Sequence, residues 1–119
     1  MHVQTNLKHH KGDKMVIVTV SLMPKEGYKK AFIEHMKELT KTVSKEDGYL
    51  AYELYEDPFH AKKLFLFEKW ESEKALHAHL ATPHMVEHFQ KTASWLEGDT
   101  LIDAYEAALL SHQSLSSKE

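Results

Sequence analysis

Apolar positions along the chain change period several times, and each change marks an element. Met15 to Met23 (Met-Val-Ile-Val-Thr-Val-Ser-Leu-Met) is rich in β-branched residues and predicts a strand that Pro24 ends. From Glu26 to Glu46 the period lengthens: Tyr28, Phe32, His35, Met36, Leu39 and Val43 recur at three- and four-residue spacing, which predicts an amphipathic helix. Asp47-Gly48 is its stop, with Gly48 suited to a left-handed cap. Tyr49 to Glu56 and Lys63 to Trp70 predict a second and third strand around the Asp57-Pro58 loop. Ser72 suits the N-cap of a helix reaching Ala81. Thr82-Pro83 suits an N-cap with proline at the first helical position, opening a helix to about Leu96. Glu97-Gly98-Asp99 reads as a turn, and Thr100 to Leu109 as a fourth strand. Residues 1–14 and 110–119 are polar and are expected to be flexible tails around a domain of residues 15–109.

The order β-α-β-β-α-β, with its second helical region split, predicts an α+β ferredoxin-like protomer: a four-stranded antiparallel sheet with helices on one face. Leu64-Phe65-Leu66-Phe67 is apolar on both alternating faces, and Val16 to Val20 nearly so. A sheet open to water on one side should alternate. The face that the helices leave bare therefore predicts a homodimer packed sheet to sheet.

Composition narrows the chemistry. The chain has 119 residues, 42% hydrophobic, with net charge −3, which argues against nucleic-acid binding. Its 15 basic residues are all lysine, so no guanidinium fork can grip a phosphate. There is no cysteine, so thiolate metal sites, disulfides and cysteine nucleophiles are excluded. No apolar run spans a membrane and no signal peptide is evident, so a cytoplasmic location is expected. No G-x-G-x-x-G, P-loop, G-x-S-x-G or H-E-x-x-H motif occurs.

A helical wheel at about 100° per residue places His79 between Ala75 and Leu76 on the sheet-facing arc, and His77 opposite. His35 falls within the arc of the first helix. Either imidazole is able to exchange a proton near neutrality or to serve as a buried, bonded core residue. Trp70, two positions beyond Glu68 on the same strand face, suits the wall of an aromatic pocket or the core. Tyr52 shares a face with Leu50 and Leu54; Tyr49 and Tyr55 share the other, and Tyr105 comes from the fourth strand. A phenol at a cavity wall hydrogen-bonds a ligand oxygen. His84 and His88 have the spacing of two ligands on one helical turn, but His84 falls outside the apolar arc, His77 and His79 diverge, and no carboxylate cluster completes a set. No metal site is expected.

Glu68-x-Trp70-Glu71-Ser72 followed by Ala78-His79-Leu80-x-Thr82-Pro83-His84-Met85 resembles the signature of the antibiotic biosynthesis monooxygenase family, most of all its small bacterial quinol monooxygenase branch. The His79-x-x-Thr82-Pro83-His84 portion is shared with a branch that processes the autoinducer-2 signal. The resemblance implies a dimeric α/β barrel. It also implies cofactor-independent oxidation of a quinol-like or polycyclic aromatic by O₂, through a substrate carbanion. On this reading His79, Trp70 and Tyr52 are the catalytic candidates, with His35, Phe67 and Tyr105 against the substrate and no cofactor required. The alternatives are an isomerase of a small carbonyl signalling compound and a non-catalytic ligand-binding dimer. Haem-degrading relatives have an Asn in the first strand and a Trp where this chain has His79; neither is present here, although His88 lies near the position of their haem ligand.

Overall fold

A computed structural model describes residues 2–4 and 12–116. The four long strands are β2 (Lys14–Pro24), β3 (Tyr49–Glu56), β4 (Leu64–Trp70) and β5 (Leu96–Ala108). They form one antiparallel sheet in the order β3-β4-β2-β5. Helices α1 (Lys29–Val43), α2 (Glu73–Leu80) and α3 (Pro83–Thr92) lie against one face, a ferredoxin-like α+β arrangement. A short pair, β1 (His2–Gln4) with β6 (Ser114–Ser116), stands apart as an antiparallel ribbon. Both fall in segments read from sequence as tails: three-residue strands are too short to show a period. His9 and His10, like the last three residues, lie outside the described residues.

The two-residue strand period builds the core. Val16, Val18, Val20 and Leu22 of β2 point to the helices beside Leu64, Leu66 and Trp70 of β4. Phe32, Met36, Leu39 and Val43 close over them from α1. The opposite face carries Ile17, Thr19, Phe65 and Phe67, all only half-buried. On β5, Leu101, Ile102 and Tyr105 are exposed.

Several features differ from the sequence pattern, beginning with the first helix, which runs from Lys29 to Val43 rather than from Glu26 to Glu46. The helix after Thr82-Pro83 ends at Thr92 and continues as one 3₁₀ turn, Ala93–Trp95. Glu97-Gly98-Asp99 belongs to β5 rather than to a turn; the register with β2 shifts between Ser21 and Met23, and Gly98 takes a positive φ at this irregularity. A second shift, between Tyr49 and Ala51, turns Tyr49 onto the helix side, edge-on to Trp70 at 6.2 Å. Strict alternation had grouped Tyr49 with Tyr55.

Gly48, in the turn between α1 and β3, packs against the start of α2. Its φ is +81°, and a Cβ there would lie 2.4 Å from the Cβ of Ala75. Its carbonyl accepts from Glu71 N at 2.8 Å. The close approach brings the last turn after α1 against α2. Gly48→Ala should lower unfolding free energy by roughly 2–4 kcal/mol in urea denaturation. Adding Ala75→Gly should relieve the clash and leave the left-handed backbone cost of about 1–2 kcal/mol. Equal stability of Gly48→Ala and wild type would contradict this packing.

Candidate active site

A cavity of about 510 Å³ lies between the sheet and the helices. Its wall is mostly apolar: Val18, Val20 and Leu66 from the sheet, Phe32 and Met36 from α1, Leu76 from α2 and Met85 from α3. Leu80, Phe89 and Ile102 line it and are also exposed, which gives it an apolar rim. The polar wall residues are few: Tyr52, Glu68, His88, Thr92 and Thr100. No lysine is among them.

Register explains why Tyr52 and Glu68 meet there. Tyr52 of β3 pairs with Glu68 of β4, which pairs with Val18 of β2, which pairs with Ala104 of β5. This row crosses the sheet on its helix side. Glu68 is only 6% exposed. Its Oε1 accepts from the Trp70 indole N–H at 3.0 Å and lies 3.8 Å from Nε2 of His79. Burial raises the Glu68 pKa to about 7; the indole hydrogen bond opposes this and the charge of Glu46 adds to it. Burial, with the charges of Glu68 and Glu46, also pushes the Tyr52 phenol well above its usual range. Tyr52 therefore stays protonated, with an O–H free to serve a ligand as donor, whereas Glu68 is poised to accept.

His79 sits behind this pair. It is 1% exposed and is not part of the cavity wall. Its ring packs on Trp70 at 4.3 Å between centroids and meets Tyr52 edge-on at 5.7 Å. Nδ1 lies 3.0 and 3.1 Å from the two oxygens of Glu46, so it donates to that carboxylate. Burial lowers the His79 pKa and Glu46 pulls the other way. The second oxygen of Glu46 also holds Nε2 of His84, at 2.7 Å. The local sequence fixes this arrangement. Ser72 caps α2 by accepting from Ala75 N. Thr82 donates to the carbonyl of His79 at 2.7 Å and accepts from Met85 N, so the break between α2 and α3 holds both histidines against Glu46.

The other sequence-derived candidates divide. Trp70 is fully buried under His79 and orients Glu68 rather than lining the cavity. His35 also misses the wall; its Nε2 lies 2.8 Å from Nδ1 of His88, and the rings stack at 5.0 Å. His88 is the wall residue of that pair. Burial first, then the neighbouring His35 and His79, push its pKa down to about 4. Burial and the charge of Lys91 lower that of His35. Phe67 and Tyr105 lie on the far face of the sheet, since Phe67 alternates with Glu68, and Tyr105 pairs with Ile17 rather than Val18. That register places them on the face of the sheet opposite Tyr52 and this cavity. Glu68 and Glu46 were not singled out from sequence as site residues, and His88 was weighed only as a metal or haem ligand. The place of Glu68, two residues before Trp70, was the available signal; the role of Glu46 depends on long-range packing. Among the described residues, no group of three or more metal-type side chains is placed to hold an ion.

The antibiotic biosynthesis monooxygenase family model matches residues 15–91. The chain belongs to this family. The solved structures agree with this antibiotic biosynthesis monooxygenase fold. A conserved Methanosarcina mazei protein is 25% identical, with TM-score 0.75, over 78% of this chain and 92% of its own. A Deinococcus radiodurans protein provisionally assigned to the antibiotic biosynthesis monooxygenases is 25% identical, with TM-score 0.74, over 79% and 93%. A Mycobacterium tuberculosis protein is 26% identical, with TM-score 0.73, over 80% and 95%. No functionally curated protein matches the chain. Membership in the antibiotic biosynthesis monooxygenases supports a monooxygenase-like role in general terms.

Stability should record the two buried wall groups with opposite signs. Between pH 4.5 and about 7 the folded state keeps a proton on Glu68 that the unfolded chain loses, so stability falls as pH rises. Between about pH 4 and 6.5 the unfolded chain binds a proton that folded His88 refuses, so stability rises with pH. Urea unfolding should show Glu68→Gln gaining on the order of 1–3 kcal/mol over wild type at pH 8 and keeping only the rising limb. His88→Gln should keep only the falling limb. Parallel curves for all three proteins would refute these assignments.

Proposed function

We propose that the protein is a cofactor-independent monooxygenase acting on a neutral, quinol-like or polycyclic aromatic substrate. The observation that carries this reading is the Tyr52–Glu68 pair. A protonated phenol and a carboxyl titrating near neutrality stand side by side at the wall of an apolar cavity. The volume lies within the usual small-molecule range of about 300–1,000 Å³.

For a ring methylene acidified by a conjugated carbonyl, ionised Glu68 takes one C–H proton while the Tyr52 O–H donates to the carbonyl oxygen as it becomes an enolate. The carbanion transfers electrons to O₂ and forms a C–O bond. The peroxide takes a proton back from Glu68. Glu68 takes the second C–H proton as the C=O bond forms and the O–O bond breaks, and the departing hydroxide takes that proton from Glu68 and leaves as water. The methylene thus becomes a carbonyl; one atom of O₂ enters the product and the other leaves in water. His79, a catalytic candidate from the sequence, fits a backing role here because it is shielded from the cavity.

The isomerase reading with a phosphorylated carbonyl substrate is disfavoured by the absence of lysine from the wall and by the presence of Glu68 there. A homodimer is part of the proposal. It is supported by half-buried Phe65, Phe67 and Ile17 on the open sheet face and by exposed Leu101 and Tyr105 beside them.

Metal-stripped protein should consume O₂ with anthrone above its autoxidation rate, and Glu68→Gln should lose roughly a hundredfold of kcat. No uptake above background would remove the reading. Sedimentation at micromolar concentration should give about twice the 13.8 kDa protomer mass, whereas a mass near 13.8 kDa would rule out the dimer.

A further inference from the structure

The proposed chemistry places a proton on Glu68 while the carbanion meets O₂, in a cavity with few other polar groups. Behind Glu68, titratable side chains continue in single file toward the surface. Oε1 of Glu68 faces Nε2 of His79 at 3.8 Å, and Nδ1 of His79 meets Glu46 at 3.0 Å. Glu46 meets Nε2 of His84 at 2.7 Å. Side-chain exposure rises along the file, from 1% at His79 through 12% at Glu46 to 28% at His84. A carboxylate only accepts, so the proton of neutral His79 belongs on Nδ1, and the bare Nε2 is turned toward Glu68.

We propose that Glu46 and His84 are relay residues, and that Glu68, His79, Glu46 and His84 form a reversible proton path between the cavity and solvent. This rests on Glu68 being the proton acceptor. Protonated Glu68 gives its proton to Nε2 of His79 after a small carboxyl rotation closes the 3.8 Å gap. Nδ1 of His79 releases its proton to Oε1 of Glu46; His84, entering as the imidazolium with its Nε2–H held on Oε2, gives its Nδ1 proton to solvent, so one proton enters the pair and one leaves. When the peroxide needs a proton, the same steps run backward and restore the original tautomer of His79, with no ring flip.

The groups around this path do not compete with it. Tyr52 stays a phenol, and Trp70 carries no exchangeable charge. His88 and His35 bond to each other, with Lys91 and Glu87 acting on His35. His77 pairs with Glu73 on the exposed side of α2.

Two measurements on the full chain test the relay. The first is ¹⁵N NMR of labelled histidines, which should find His79 protonated at Nδ1 in wild type; Glu46→Gln should populate the Nε2–H form. A wild-type ring protonated at Nε2 alone overturns the path. The second uses anthrone turnover with His84→Gln, a partly exposed position that spares folding if Glu46→Gln does not. Its kcat should fall about tenfold with KM within about twofold, and its solvent deuterium isotope effect should rise. O₂ uptake by wild type with kcat and isotope effect unchanged in His84→Gln overturns the relay alone. No O₂ uptake by wild type overturns the Glu68 reading and the relay with it.

Discussion

A carboxyl buried without a cation is the constraint around which this site is arranged. The two-residue period of β4 sends Leu64, Leu66, Glu68 and Trp70 to the same side, so an ionisable group enters a layer otherwise made of hydrocarbon. Ionised Glu68 loses water and gains in exchange, among the described residues, only the Trp70 indole N–H as a hydrogen-bond donor. Its pKa therefore rises, and the group becomes useful as a base where an exposed glutamate would be a spent acid. The aromatic neighbours follow from the same demand. Trp70 holds the carboxyl, His79 packs on Trp70, and Glu46 fixes the orientation of His79.

Packing away from the cavity serves that arrangement. Gly48 lets the backbone after α1 touch α2, the approach that also brings Glu46 to His79. The Thr82 cap turns the chain between α2 and α3 so that His84 reaches the same carboxylate. A site assembled from α1, α2, α3, β3 and β4 depends on contacts between elements far apart in sequence, with 33 residues separating Glu46 from His79.

The sheet and helices were legible because each period is long and strong. β3 runs over the residues its pattern outlined, and the Ser72 and Thr82 caps take their expected places. Gly98 was less legible: a glycine flanked by acidic residues has the composition of a turn, and only the pairing with β2 draws it into β5. Tyr49 was misplaced because a bulge moves a side chain across the sheet without any composition mark. The inward course of His79 followed from the wheel, but a wheel gives a direction and not a depth. His79 points toward the sheet yet stops behind Tyr52 and Glu68. Glu46 looked like an ordinary charged helix end, and nothing local to it announces two histidines.

The central claim is that Glu68 titrates near neutrality at the cavity wall. Carboxyl ¹³C NMR of the folded wild-type protein, with Glu68→Gln used to assign the resonance, measures this directly. The account predicts a Glu68 midpoint near pH 7. A midpoint in the ordinary carboxylate range, about 4–5, would contradict it and leave the cavity without the base on which the proposed chemistry turns.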